Sequence, residues 1–175
     1  MTTSTPLCPD SALAAEFWAQ GRSASCPVID MHGHAGAMPG IWFPRSEPER
    51  MVESMDAAGV KLLVFAPHAS LFCPEVGNRA AIEAVRLFPN RLRAYLSVNP
   101  HYPEDLRRDL DAFDCQREVF VGLKLLASYH GVPITDKPYQ EALEFANARG
   151  LPVLLHTWGG DRCNGEEQVR KVASL

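Results

Sequence analysis

The sequence predicts an α/β fold, part of a (β/α)8 barrel built from about five βα units. Three observations carry this expectation. First, five apolar, β-prone runs start at residues 28, 61, 92, 119 and 152, and their separations of 33, 31, 27 and 33 each match the length of one βα unit. Second, the runs are continuous rather than alternating, as expected of parallel strands covered by helices. Third, polar residues gather at or just past the C-terminal ends of these runs: His32 and His34, His68, Asn99 and His101, Lys124, and His156. A barrel keeps its active site at that end. An open doubly wound sheet uses one switch point, often with a Gly-rich phosphate loop, and no G-x-G-x-x-G or G-x-x-x-x-G-K-[ST] follows the first run. The barrel is the favoured architecture.

Residues 1–27 read as an N-terminal extension with one short helix, capped by Asp10 or Ser11, carrying Leu13, Phe17 and Trp18, and stopping at Gly21. This helix is expected to pack on the outside of the barrel domain (28–175) or to cover one end of it. Val28–His32 is the first strand, followed by a Gly/Pro-rich loop to Pro44. From Glu47, Met51, Val52, Met55 and Ala58 recur at helical spacing until Gly59. The remaining pairs are strand Lys61–Ala66 with helix Asn78–Leu87, strand Leu92–Val98 with helix Glu104–Phe113, and strand Val119–Leu125 with helix Tyr139–Arg149, closed by Gly150. A fifth strand, Pro152–Thr157, precedes a helix opened by an Asn164/Glu167 capping box.

The chain has 175 residues, enough for one domain with a sizeable core. A net charge of −4 leaves no basic footprint for nucleic acid or an anionic membrane surface. No apolar run approaches the ~18 residues needed to span a bilayer. The five cysteines (Cys8, Cys26, Cys73, Cys115 and Cys163) are scattered, with no C-x-x-C pair. This argues against a disulfide framework or a cysteine zinc site and suggests a reducing compartment. With no basic, apolar leader at the N-terminus, the expectation is a cytoplasmic protein. No G-x-S-x-G elbow supports serine catalysis.

The sharpest local signal is Val28-Ile-Asp-Met-His-Gly-His-Ala-Gly36. On a strand, residues two apart point the same way at roughly 6–7 Å, so His32 and His34 lean into the same space and both reach one ion. Asp30 shares their parity and is expected to face the barrel interior. There it would orient an imidazole or sit in an ordinary core ion pair.

Three stretches, VIDMHGHAG (28–36), FVGLKLLASYHGVP (120–133) and ALEFANARGLPVLLHTWG (142–159), resemble the amidohydrolase superfamily. They are closest to the branch of aminocarboxymuconate-semialdehyde decarboxylase and related metal-dependent hydrolases. The resemblance covers nearly everything after residue 27 and implies a partial TIM barrel of the metal-dependent hydrolase type. It implies hydrolysis of a C–N or ester bond, or decarboxylation of a small carboxylic acid, at a metal held by strand-end histidines. His32, His34 and His156 would form that three-histidine face, zinc being the expected ion and manganese, iron or nickel compatible with imidazole. In two-metal members a carboxylated lysine at the Lys124 strand bridges the ions, but the branch resembled here uses one metal. Lys124 is instead expected to contact an anionic substrate or to form a structural salt bridge. His68, His130 and Trp158 are the further candidate substrate contacts.

The family pattern continues with a histidine after strand six and an aspartate after strand eight. By this resemblance the chain reads as C-terminally truncated, and its catalytic acid/base residues lie beyond Leu175. Leu126 also stands where the family often has a histidine. The alternative is a catalytically incomplete fragment that binds metal at most and needs a partner chain, since unclosed edges at the first and fifth strands invite pairing into a homo-oligomer.

Overall fold

The computed structural model describes residues 11–157 and 162–174. The predicted alternation is present. In chain order the elements are α1 (Ala12–Gln20), β1 (Val28–Ala35), α2 (Pro48–Ala58), β2 (Val60–Pro67), α3 (Pro74–Leu87), β3 (Leu92–Ser97), α4 (Pro103–Ala112), β4 (Phe120–Leu125), α5 (Ala127–His130), α6 (Lys137–Arg149), β5 (Val153–Leu155) and α7 (Glu166–Ala173). All four neighbouring strand pairs are parallel, and the sheet order is β1-β2-β3-β4-β5. This is a partial (β/α)8 barrel of five strands. No helix among the described residues is long and apolar enough to cross a membrane.

The core lies between the sheet and its covering helices. Phe65, Leu92, Ala94 and Leu123 from the strands meet Met55 of α2, Ala81 and Val85 of α3, Leu106 and Leu110 of α4, and Tyr139 and Ala142 of α6. Central strands are buried on both faces, which is why their sequences are continuous apolar runs. Gly59 and Gly150 end α2 and α6 in the left-handed region, at φ 72° and 60°, as their positions predict.

Helix starts differ from the sequence expectation in one consistent way. α3 opens at Pro74 rather than Asn78, α4 at Pro103 rather than Glu104, and α6 at Lys137 with Pro138 following, rather than Tyr139. Proline suits the first helical turn because that turn has no use for its missing N–H. The Asn164/Glu167 capping box does not form. Gly165 is the N-cap of α7, and the Asn164 side chain turns inward to accept a hydrogen bond from Ser128 Oγ at 3.1 Å. Ser11 caps α1, accepting from the Ala14 amide. α1 buries none of its residues, so the expected packing of its apolar side chains against the domain is absent; Trp18 is 71% exposed.

Two features position the candidate site. β1 continues past His32 to Ala35 and carries a bulge: Asp30 pairs with Leu63 and Gly33 with Phe65, so three steps on β1 meet two on β2. At the other edge, a side chain at Gly122 would strike the Pro152 carbonyl oxygen and crowd Tyr95, so only glycine lets β5 approach β4 closely.

Candidate active site

A cavity of about 330 Å³ opens at the C-terminal ends of the strands. His34 from β1, Lys124 from β4 and His156, one residue past β5, line it together with His68 from the helical turn His68–Leu71 after β2. Its remaining described walls are Met38, Ile41, Phe43, Ala66, Pro67, Leu71, Leu126 and Tyr129. No aspartate or glutamate is among these residues.

On the β1 side the histidines form a row. The rings of His32 and His34 lie 5.1 Å apart, centroid to centroid. His68 stacks on His34 at 4.8 Å and 8° between planes, with Phe43 set edge-on against it at 4.9 Å. His68 Nδ1 meets the Gly36 carbonyl oxygen at 2.7 Å. The carbonyl can only accept, so Nδ1 carries the proton and the Nε2 lone pair is left for other use. Burial, with the nearby charges of His68, Lys124 and His32, holds the His34 imidazole down to about 4. His32 is also pushed down, first by burial and then by Lys124. Neutral imidazole is the form that binds metal.

Two imidazoles on one tetrahedral ion, with N–metal bonds of ~2.1 Å, hold their centroids roughly 5 Å apart. The His32/His34 pair therefore fits two positions around a single ion. The predicted three-histidine face is not assembled. Among the described residues no group of three or more His, Cys, Asp or Glu side chains is placed to hold a metal ion. β1 and β5, which carry or lead into these histidines, are the two edges of the five-stranded sheet. His156 reaches the cavity that His34 lines, but beside the Tyr129 ring at 4.9 Å.

Asp30 is exposed rather than facing a closed interior. Its carboxylate accepts from the His32 backbone N–H at 2.9 Å, so it shapes the bulge instead of orienting an imidazole. The other partner of the bulge is one that periodicity does not flag: Tyr95 on β3 donates its hydroxyl hydrogen to the Met31 carbonyl at 2.9 Å. His130 is withdrawn from substrate contact. It is 8% exposed, with Nδ1 at 2.7 Å from the Tyr139 hydroxyl and Nε2 at 2.8 Å from the Leu71 carbonyl oxygen. Both ring nitrogens are used to tie α5 to α6 and to the turn after β2. Trp158 lies outside the described residues.

Lys124 is the most unusual group in the cavity. It is completely buried, and its Nζ has no hydrogen-bond partner among the described residues. Among the described residues no carboxylate forms a salt bridge with it. Burial draws its pKa down to about 8.

No family model and no curated protein matches the chain; similarity is found among solved structures. A 5-carboxyvanillate decarboxylase from Novosphingobium aromaticivorans, complexed with manganese and 4-hydroxy-3-methoxy-5-nitrobenzoic acid, superposes with a TM-score of 0.59 at 15% identity, over 75% of this chain and 50% of that one. An amidohydrolase II structure gives 0.60 at 15% identity, over 74% and 50%. A TIM-barrel protein from Bordetella bronchiseptica gives 0.62 at 16% identity, over 85% and 63%. The likeness is one of fold: a partial TIM barrel, as the spacing of the apolar runs predicts. The chain spans about half the length of the first two structures.

Proposed function

We propose that this chain forms the metal-binding half of an amidohydrolase-type active site acting on a small carboxylate, by hydrolysis of a C–N or ester bond or by decarboxylation. The observation that carries this reading is the meeting of His34, Lys124 and His156, from three strands, on one cavity at the C-terminal end of a parallel sheet. His32 and His34 would hold a divalent ion, zinc or manganese, with His156 reaching the same cavity from the β5 side, and His68 would keep the His34 ring in place by stacking. The ion, when bound, would activate water or polarise a carbonyl or carboxylate group. Lys124 would face the carboxylate of the substrate, whose negative charge supplies the partner its ammonium lacks. Met38, Phe43 and Leu126 would cover the apolar part of the substrate. The ligands of two structural neighbours support a carboxylate: the nitrobenzoic acid of the decarboxylase, and the citric acid bound to a 2-pyrone-4,6-dicarboxylic acid hydrolase from Acinetobacter baumannii. Manganese in the first of these supports a divalent ion.

A second reading is binding without turnover, in which a partner chain completes the barrel. It is favoured by the absence of a three-donor group among the described residues. The test is calorimetric titration of metal-free protein with zinc and with manganese. About one ion per chain is expected, with affinity lowered tenfold or more in His32→Ala and His34→Ala. Equal binding by these variants would remove the metal reading. A screen of small aromatic carboxylates and lactones on the metal-loaded protein then separates turnover from binding alone.

A further inference from the structure

Lys124 ends β4 with its Cα paired to Ser97 on one side and Leu154 on the other. This places the side chain at the floor of the cavity, where it is fully buried and its Nζ has no hydrogen-bond partner among the described residues. An ammonium in that position is costly, because no carboxylate in the described walls compensates for lost hydration. Proteins resolve this by releasing the proton, and a free amine in an apolar pocket is a nucleophile. The direction of its pKa shift agrees. Phe43, Leu126 and Met38, which line the same cavity, suit the apolar body of a small molecule.

We propose that Lys124 is a nucleophilic amine that captures a small apolar aldehyde as an imine within this cavity. The Nζ lone pair adds to the carbonyl carbon. The nitrogen gives up its two protons and the carbonyl oxygen takes up two. Water leaves and a C=N bond remains, so the aldehyde and the lysine give one imine and one water with no change in oxidation state. The Tyr129 hydroxyl and the cavity imidazoles can exchange the protons with solvent. This inference shares the cavity of the proposed metal site but does not need its ion.

The test uses the full chain, freed of metal, with benzaldehyde as the probe and cyanoborohydride to reduce the imine irreversibly. Intact mass counts the benzyl groups, and peptide mapping locates them among Lys61, Lys124, Lys137 and Lys171, the four lysines of the chain. At about pH 7.5 an amine of pKa about 8 holds on the order of a hundredfold more free base than an ordinary lysine. Beside labelling of the α-amino group, whose ordinary pKa is about 8, one benzyl group is expected among the lysines, with a yield at Lys124 roughly tenfold or more above each other lysine and its loss in Lys124→Met. Labelling spread evenly over the four lysines, or absent from Lys124, would overturn the proposal. Should Lys124→Met not fold, the site-resolved yields in the unaltered chain decide alone. Because the readout is a mass on metal-free protein, a negative result leaves the metal titration standing, and the reverse also holds.

Discussion

The turns after β2 and after β4 place the same residue type in the same kind of position and use it in opposite ways. His68 opens a short helical turn after β2, is half-buried, and spends one ring nitrogen on the Gly36 carbonyl. His130 closes the short helix α5 after β4, is buried, and spends both nitrogens, on Tyr139 and Leu71. On the β1–β2 side, imidazoles crowd one another at the cavity mouth. On the β4–β5 side, His156 and Lys124 reach the cavity, and the lysine Nζ has no hydrogen-bond partner among the described residues. A strand-end histidine is therefore a site residue only when its neighbours leave it a lone pair.

The difference is largest in stability. His130→Ala leaves the buried Leu71 carbonyl without the partner His130 supplies and takes one of the Tyr139 hydroxyl's two, and a loss of about 2–3 kcal/mol is expected in urea unfolding. His68→Ala should cost under about 1 kcal/mol. Equal losses would break the comparison.

Lys124→Met replaces an uncompensated buried amine with an apolar chain of similar shape, so a gain of about 2–3 kcal/mol at neutral pH is expected. In the parent protein the folded state gives up this proton near 8, and the unfolded chain near 10.5. Between these values the unfolded state binds more protons, so stability rises with pH across that window. The Met variant should lack this rise, which thermal melts at graded pH will read.

The β1 side behaves as a base in the acid range. His34 is held at about 4 against an ordinary 6.5, so the unfolded state binds more protons between these values and stability falls as pH drops through them. His32 and His130 are displaced in the same direction. Replacing His34 by Gln should flatten the acid limb, and an unchanged slope would assign it to the other two. The smallest effect expected is that of Tyr95→Phe. It frees the Met31 carbonyl and should cost about 1 kcal/mol, while weakening ion binding through His32 more than through His34.

Much of this was readable from residue order. The period of the apolar runs, the left-handed glycines ending α2 and α6, and the two-residue spacing of His32 and His34 are local patterns. Their consequences are set by strand and helix geometry alone. Pro48, Pro74, Pro103 and Pro138 stand in the first turn of four helices, ahead of the apolar positions that face the core. Asn164 and Glu167 have the spacing of a capping box, yet Ser128 across the fold outcompetes the helix end for the Asn164 oxygen.

Sequence alone determined the parallel strand order, the end of the sheet where function gathers, and the pairing of His32 with His34, because each follows from periodicity within one unit. Tertiary structure alone decided that Asp30 serves a bulge, that His130 is consumed by Tyr139 and Leu71, and that Lys124 Nζ is buried with no hydrogen-bond partner among the described residues. Those outcomes depend on which side chains arrive from other strands and helices. Hydrogen-bond competition and desolvation are properties of that meeting, and no single stretch of chain encodes them.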